Sequence, residues 1–314
     1  MKIKYSIIIP VYKNAESIPL LIETLDKLNA QLSDNMEAVF VVDGSPDESF
    51  NLLKQASIDI GFPMQLIAHA RNFGSFAAIR TGLESAQGDF FAMMAADLQE
   101  PPELMLDFFE YLESDQCDVA VGERIGREDG FFTNLSSKLF WGIYRKFVNS
   151  EIPEGGVDVF ACNKEFREQL LRLKESRSSL VALVYWLGFR RKNVQYKRLL
   201  RLDGESSWSF SKKLEYMFDS IFSFTDLPIK VFTFLGFIGL FLSCLLGVFI
   251  FLARILGYIE LPGYAPLMLA VLSLGSINLL GLGVVGNYAW RAYENSKSRP
   301  LAVVLSKHLT GHYS

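Results

Sequence analysis

Residues 90–102, FFAMMAADLQEPP, decide how the rest of the chain is read. A short apolar run ends in small residues, meets an acid and an amide, and then two prolines that open the next element. That is the pattern of a buried strand passing through a polar turn into a helix. Tyr5 to Val11, Met36 to Val42, Met64 to Ala68, Phe90 to Ala95 and Asp118 to Gly122 are all short apolar runs bounded by polar or turn residues, and are expected as buried strands. Helical patterns fill the gaps, roughly Ser17 to Gln31, Asp47 to Ser57, Ser75 to Gln87 and Pro102 to Ser114. Strict alternation of the two predicts an α/β class, a Rossmann-like, mostly parallel, doubly wound sheet. Ligands of such sheets bind beyond the carboxyl ends of the strands. Pro10, Val11 and Tyr12, then Asp43, then Ala95, Ala96 and Asp97 all fall there.

Half of the 314 residues are hydrophobic and the mean hydropathy is +0.21, above ordinary soluble usage, so a membrane part is expected. Val231 to Ala253 and Ala265 to Trp290 carry no charge, and each is long enough to span a bilayer as a helix. Arg254 to Tyr264 between them is too short for a domain, which predicts a tight transmembrane hairpin. Lys230, Arg291, Lys297, Arg299 and Lys307 flank the pair, and the positive-inside rule then puts both termini in the cytoplasm. Met1 to Val11 reads as a strand rather than a signal sequence, so insertion is expected from inside the chain. The resulting division is a cytoplasmic domain over 1–210, an amphipathic juxtamembrane helix over 211–228, two membrane helices over 229–291 and a cytoplasmic tail over 292–314. Arg190, Arg191, Lys192, Lys197, Arg198 and Arg201 form a basic segment ahead of the amphipathic stretch Lys212 to Phe224. Together they are expected as a platform on anionic headgroups, with Leu214, Met217, Phe218, Ile221 and Phe222 dipping into the interface.

Other classes are disfavoured. Cys117, Cys162 and Cys244 lie far apart without a CxxC pair, which points away from zinc and disulfides and toward a reducing cytoplasm. A net charge of −4 and a pI near 5.6 argue against nucleic-acid binding. His308 and His312 stand four apart, but in a polar tail without an acidic neighbour, so a frayed terminus is expected there. Neither GxGxxG nor GxxxxGK[ST] occurs, which removes the usual grounds for a dinucleotide oxidoreductase or a P-loop NTPase. Asp97 and Gln99 offer hard oxygens at a strand end, suited to bridging Mg²⁺ or Mn²⁺ to a diphosphate. From that segment alone, Asp97 equally suits ordering of the turn before Pro101 and Pro102.

Taken in order, the segments 6–12 (SIIIPVY), 42–47 (VDGSPD), 71–74 (RNFG), 95–102 (AADLQEPP), 156–158 (GVD) and 201–206 (RLDGES) resemble the inverting family 2 glycosyltransferases. The similarity is to the dolichyl-phosphate mannose synthase and undecaprenyl-phosphate glucosyltransferase branch. It continues after the second apolar run through Gly286, Asn287, Tyr288, Arg291, Tyr293, Glu294, Lys297, Arg299 and Pro300. The resemblance implies a GT-A fold and transfer, with inversion, of a sugar from a nucleotide-sugar to undecaprenyl phosphate. UDP-glucose is the first expected donor, ahead of UDP-GlcNAc and UDP-galactose. The product would be a polyprenyl-monophosphate sugar for cell-envelope glycan such as O-antigen, made at the bacterial inner (cytoplasmic) membrane.

By the same resemblance Pro10, Tyr12 and Asp43 hold the nucleoside, with Asp43 accepting from a base N–H, and Arg71 and Ala96 lie on the nucleotide-sugar side. Asp97 and Gln99 hold Mg²⁺ or Mn²⁺, Asp97 and Asp158 are the catalytic carboxylates, Asp158 orienting the acceptor or the sugar, and Arg201 reaches the donor diphosphate. Arg124 and Arg127 clamp the acceptor phosphate, since guanidinium forks match phosphate oxygens; surface pairing with Glu123, Glu128 or Asp129 is the alternative. A lipid monophosphate has a second pKa of about 6 and is largely anionic at neutral pH, so positioning is expected to matter more than a strong base. A homo-oligomer, tetrameric by analogy, is also implied.

The chain departs from the family's pattern at Ala95, where the metal loop normally begins with aspartate, at Val42, in place of the first acid of DDGS, and at Ser207, where lysine often follows RxxGxS. Two rival functions are therefore kept. A non-catalytic nucleotide-sugar-binding membrane scaffold draws its support from Ala95. A processive polysaccharide synthase would carry QxxRW, and Gln195 to Leu199 keeps that spacing with leucine in place of tryptophan.

Overall fold

The computed structural model describes residues 3–125, 142, 145, 151–153, 157–175, 179–199, 219, 221–256 and 263–311. The alternating units form as the apolar runs predict: β1 (Tyr5–Val11), α1 (Ile18–Gln31), β2 (Met36–Val42), α2 (Ser49–Ala56), β3 (Met64–His69), α3 (Ser75–Ser85), β4 (Phe90–Met93), α4 (Glu103–Glu113) and β5 (Val119–Arg124). They continue into β6 (Val157–Asn163), α5 (Lys164–Arg172), α6 (Leu180–Trp186), β7 (Arg191–Tyr196), α7 (Leu227–Ile255), α8 (Tyr264–Ser296) and β8 (Val304–Thr310). The strands make one sheet in the order β7-β5-β6-β4-β1-β2-β3-β8. β1 runs parallel to β2 and β4, β2 to β3, and β5 to β7, whereas β6 lies antiparallel to both β4 and β5, and β8 antiparallel to β3. The sheet is thus mostly parallel, with antiparallel joints where β6 and β8 enter.

Successive side chains of a strand point to opposite faces, and the core divides accordingly. Ile7, Ile9, Ala38 and Phe40 pack with Leu21, Leu25, Leu28, Phe108 and Phe109 under α1 and α4. Ile8, Val39, Val41 and Ile67 pack with Ala78, Leu83, Phe166, Leu170 and Leu183 under α3, α5 and α6. Proline within β1 follows from where β4 stops. Met94 N–H donates to Ile8 O, and Asp43 N–H to Val11 O. Ile8 and Pro10, two apart, therefore face the β4 side, where pairing ends at Met93, and the missing N–H of Pro10 breaks no ladder bond.

Three strands lie where the sequence predicts none: β6, whose Val157, Val159, Phe160, Ala161 and Cys162 are buried, and the two edge strands β7 and β8, which are not apolar runs. β7 buries only Val194 and Tyr196 and leaves Arg191 and Lys192 half-buried. Half of the basic segment is engaged within the chain at this edge. Arg190 pairs with Asp115 at 2.5 Å and Asp118 at 2.9 Å, Arg191 pairs with Glu151, and Lys192 donates to Gln116 and lies 3.9 Å from the Tyr111 ring centroid. These three cations are thus paired with acids, an amide and an aromatic ring along the sheet edge. β8 corrects the frayed terminus: His308 is in register with Leu66 of β3, its ring 5.9 Å from that of Phe50. Residues 211–218, with Leu214, Met217 and Phe218, and His312 lie outside the described residues.

The two charge-free runs fall inside α7 and α8. Leu227–Ile250 within α7 has a mean hydropathy of 2.4 and no buried share, so this helix is long and apolar enough to cross a membrane. The far end of α8 ties back to the segment before α7, with Tyr288 Oη donating to Thr225 O (3.1 Å) and Arg291 donating to Ser223 Oγ (2.9 Å) and pairing with Asp219 at 2.5 Å.

Candidate active site

Parallel strands deliver three turns to one edge of the sheet, after β1, β2 and β4. The first two are knitted together by Asp47. Its carboxylate accepts from Ser45 Oγ (2.5 Å), Ser49 Oγ (2.9 Å), Ala15 N–H (3.0 Å) and Ser49 N–H (3.3 Å). Burial alone would raise its pKa, but the hydroxyl and amide donors outweigh it and hold the carboxyl below the ordinary value. Ser45 Oγ also accepts from Lys13 N–H at 2.8 Å. The turn around Lys13, whose φ is +57°, is therefore fixed against the DGS turn. Tyr12 is left 37% exposed above it.

Asp43 directly follows β2 and is buried. Its Oδ1 accepts from Phe73 N–H (2.9 Å) and its Oδ2 from Gly74 N–H (2.7 Å). Nδ1 of buried His69 lies 2.8 Å from Oδ1, and Nε2 lies 2.9 Å from Thr81 Oγ1. Because the carboxylate only accepts, His69 Nδ1–H is the donor in this contact. Three of about four lone-pair sites on Asp43 are thus occupied from within the chain, leaving room for about one further donor. Gly44 has φ +58°, and a Cβ there would stand 2.3 Å from the Arg71 carbonyl carbon, so the DGS and RNFG turns touch backbone to backbone. Arg71 is exposed, its guanidinium 4.0 Å from the Phe73 ring centroid.

The turn after β4 presents alternating residues. Ala96 and Leu98 are buried while Asp97 and Gln99 are half-buried. Leu98 adopts φ +54°, which turns the chain between the two polar side chains. Ser17 Oγ, at the start of α1, donates to Ala96 O at 2.8 Å and ties this turn to the one after β1. Gln99 is engaged twice: its carbonyl accepts from Leu199 N–H (2.8 Å) and its side-chain oxygen from the Arg198 guanidinium. Among the described residues no three His, Cys, Asp or Glu side chains cluster as a metal set. Asp97 and Gln99 supply hard oxygens, and Mg²⁺ is commonly held by one or two carboxylates with substrate phosphates completing the shell. The donor set therefore fits a cation that arrives with a diphosphate, not one caged by protein alone.

Arg124 stands at the end of β5, in register with Tyr196. Asp158 belongs to β6, beside β5; its side chain, Arg127 and Arg201 lie outside the described residues. Sequence reasoning missed His69, Asp47, Ser17 and Arg198 as parts of the site. Asp47 sits inside the quoted VDGSPD segment, and Arg198 inside the QxxR spacing. His69 and Ser17 gave no signal, because their roles arise only when turns distant in sequence meet.

The sequence model of glycosyl transferase family 2 matches residues 6–173. An uncharacterized glycosyltransferase of Bacillus subtilis, YkcC, is 31% identical over 96% of this chain and 93% of its own length. A prophage bactoprenol glucosyl transferase homolog of Escherichia coli is 26% identical over 96% of this chain and 98% of its own. The SfII prophage-derived bactoprenol glucosyl transferase of Shigella flexneri is 27% identical over 97% and 98%. The similarity runs through the apolar helices as well as the sheet, and with the family model covering more than half of its length, this chain belongs to glycosyl transferase family 2.

Proposed function

We propose that the chain transfers a glucosyl residue, or another hexose, from a UDP-sugar to undecaprenyl phosphate with inversion at the anomeric carbon. The observation that carries this reading is one end-to-end match: relatives named bactoprenol glucosyl transferases align over nearly all of both chains, sheet and apolar helices together. The acidic turn Asp97–Gln99, separated from the Asp43 turn by the end of β1, gives that match a site. In this reading Pro10, Tyr12 and Asp43 hold the nucleoside, Asp43 accepting from the base with its remaining lone pair, while Arg71 and Ala96 border the sugar nucleotide. Asp97 and Gln99 would hold Mg²⁺ or Mn²⁺, which when bound neutralises the departing diphosphate.

Arg124 and Arg127 grip the acceptor phosphate, Asp158 orients the reacting groups, and Arg201 reaches the diphosphate. An acceptor phosphate oxygen bonds to the anomeric carbon as the bond to UDP breaks on the opposite face, so one displacement inverts the centre. Because the nucleophile is already anionic, alignment supplies most of the rate. α7 and α8 form the membrane hairpin of an inner-membrane protein with both termini cytoplasmic, assembled as a homo-oligomer.

The test uses purified full-length protein in detergent with Mg²⁺ or Mn²⁺, undecaprenyl phosphate and labelled nucleotide-sugars, counting label that enters the organic phase. Transfer of one sugar, lost in Asp97→Asn, is the expected result. No transfer from any donor, with nucleotide-sugar binding intact, would replace the enzyme by a binding scaffold.

A further inference from the structure

The side-chain oxygen of Gln99, in the acidic turn, is already held by a cation of the chain itself. Arg198 follows the last residues of β7 and is exposed, and its guanidinium donates to Gln99 Oε1. The neighbouring Leu199 N–H to Gln99 O bond, at 2.8 Å, keeps the two segments together whichever way the arginine side chain points. Tyr196, two residues earlier, is buried and anchors the strand end. The backbone is thus fixed, whereas the guanidinium sits on a long, exposed and rotatable stem. The turn itself carries Ala95 where an acid would add negative charge, so Asp97 is the only ionisable side chain from Ala95 to Gln99.

We propose that Arg198 is a placeholder for the divalent cation: it occupies the Gln99 oxygen until a nucleoside diphosphate and its metal arrive, then moves onto the diphosphate. This rests on the glycosyltransferase reading above and adds a residue to it. The physical basis is direct competition. An amide oxygen held by a guanidinium is a poorer ligand for a second cation, and Asp97 alone is a weak hold, so metal without nucleotide binds poorly. A diphosphate changes the balance, because its oxygens ligate the metal and at the same time offer the guanidinium a more negative, bidentate partner than an amide. Metal and nucleotide therefore bind with positive coupling, and Arg198 sits on both sides of that coupling.

The test is Mn²⁺ binding by electron paramagnetic resonance on the full-length chain in detergent, with and without UDP. The expected signature is a pair of opposite changes. Arg198→Ala tightens Mn²⁺ in the absence of UDP by several-fold, since the competitor is gone, and weakens UDP binding in the presence of Mn²⁺ by about tenfold, the size of one lost charge-assisted hydrogen bond. Arg198→Lys, which keeps the charge without the fork, falls between. In Gln99→Ala the arginine has nothing to compete for, and adding Arg198→Ala no longer alters Mn²⁺ binding without UDP. Loss of both affinities together in Arg198→Ala would make the contact merely structural and overturn the proposal, as would no change in either. If the unaltered protein takes up no UDP with Mn²⁺, the glycosyltransferase reading itself falls, an outcome separable from the other two.

Discussion

Arg80 of α3 and Arg167 of α5 close each other's helices. Arg80, buried among the sheet-facing residues, donates to Leu170 O (3.0 Å) and Leu171 O (2.9 Å) at the end of α5. Arg167 donates to Leu83 O (2.6 Å) and Glu84 O (3.2 Å) at the end of α3. The last carbonyls of a helix have no donor within it and favour a cation, so each arginine satisfies a need created by the other's helix. The pairing matters for the site because Gly74 is the residue that caps the other end of α3, and its N–H is held by Asp43.

Arg80→Leu is accordingly expected to destabilise the chain by about 2–3 kcal/mol, the cost of leaving two carbonyls without charged donors. Arg80→Lys should recover only part of this, as an ammonium cannot fork to two oxygens in a plane. Denaturant unfolding of the detergent-solubilised protein measures both. Arg80→Lys matching the unaltered protein would show that charge alone, without the fork, accounts for the clasp.

Legibility in the sequence followed hydrophobic pattern. β1, β2 and β3 were readable because both of their faces are covered, which makes them continuous apolar runs. The strand before Asp97 was read two residues long: pairing stops at Met93, and Met94 and Ala95 already belong to the turn. β7 and β8 were not readable, because an edge strand with one wet face alternates charged and apolar residues and resembles an ordinary basic or polar stretch. The site was legible where its residues are adjacent, as in Asp97 and Gln99. It was not where a role depends on folding: nothing near Asp43 in sequence announces that Phe73, Gly74 and His69 take most of its lone pairs.

Asp43→Asn should therefore do more than weaken a base contact. An asparagine offers one oxygen to two amides that each face a carboxylate oxygen, and turns an NH₂ toward one of them. A stability loss of about 2–4 kcal/mol is expected, together with at least tenfold weaker UDP binding by calorimetry, because the RNFG turn loses its anchor. His69→Ala, which leaves both amide bonds in place, should cost less on both counts. Equal losses in the two variants would move the anchoring role from the carboxylate to the imidazole.

Asp47 gives a pH dependence of definite sign. Its carboxyl is held below the ordinary value by Ser45, Ser49 and Ala15 despite the opposing effect of burial, so the folded state binds this proton more weakly than the unfolded chain. The stabilisation is fully present above the unfolded value of about 3.8 and is lost as pH falls through the lower folded value. Thermal unfolding from pH 6 down to pH 3 should show a shallower acid decline in Asp47→Asn than in the unaltered chain, on a lower plateau by about 1 kcal/mol. An unchanged acid slope would assign the decline to other carboxylates.

A partly buried ion pair contributes to the junction between the apolar helices and the segment before them. Arg291 is 11% exposed and Asp219 27% exposed, and the guanidinium also meets Asn287 Oδ1 at 2.9 Å and lies 5.5 Å from the Phe222 ring centroid. Removing one member of such a pair leaves the other desolvated without its counter-charge, whereas removing both does not. Asp219→Leu and Arg291→Leu are each expected to lower stability by about 2 kcal/mol, and the double variant by clearly less than the sum, an interaction readable as a double-mutant cycle in detergent melts. Raising salt should leave the single losses nearly unchanged, since screening acts weakly on a pair withdrawn from solvent. Strict additivity of the two losses would mean that the aromatic contact of Phe222 with Tyr288, 5.4 Å between centroids, holds the junction and the charges ride on it.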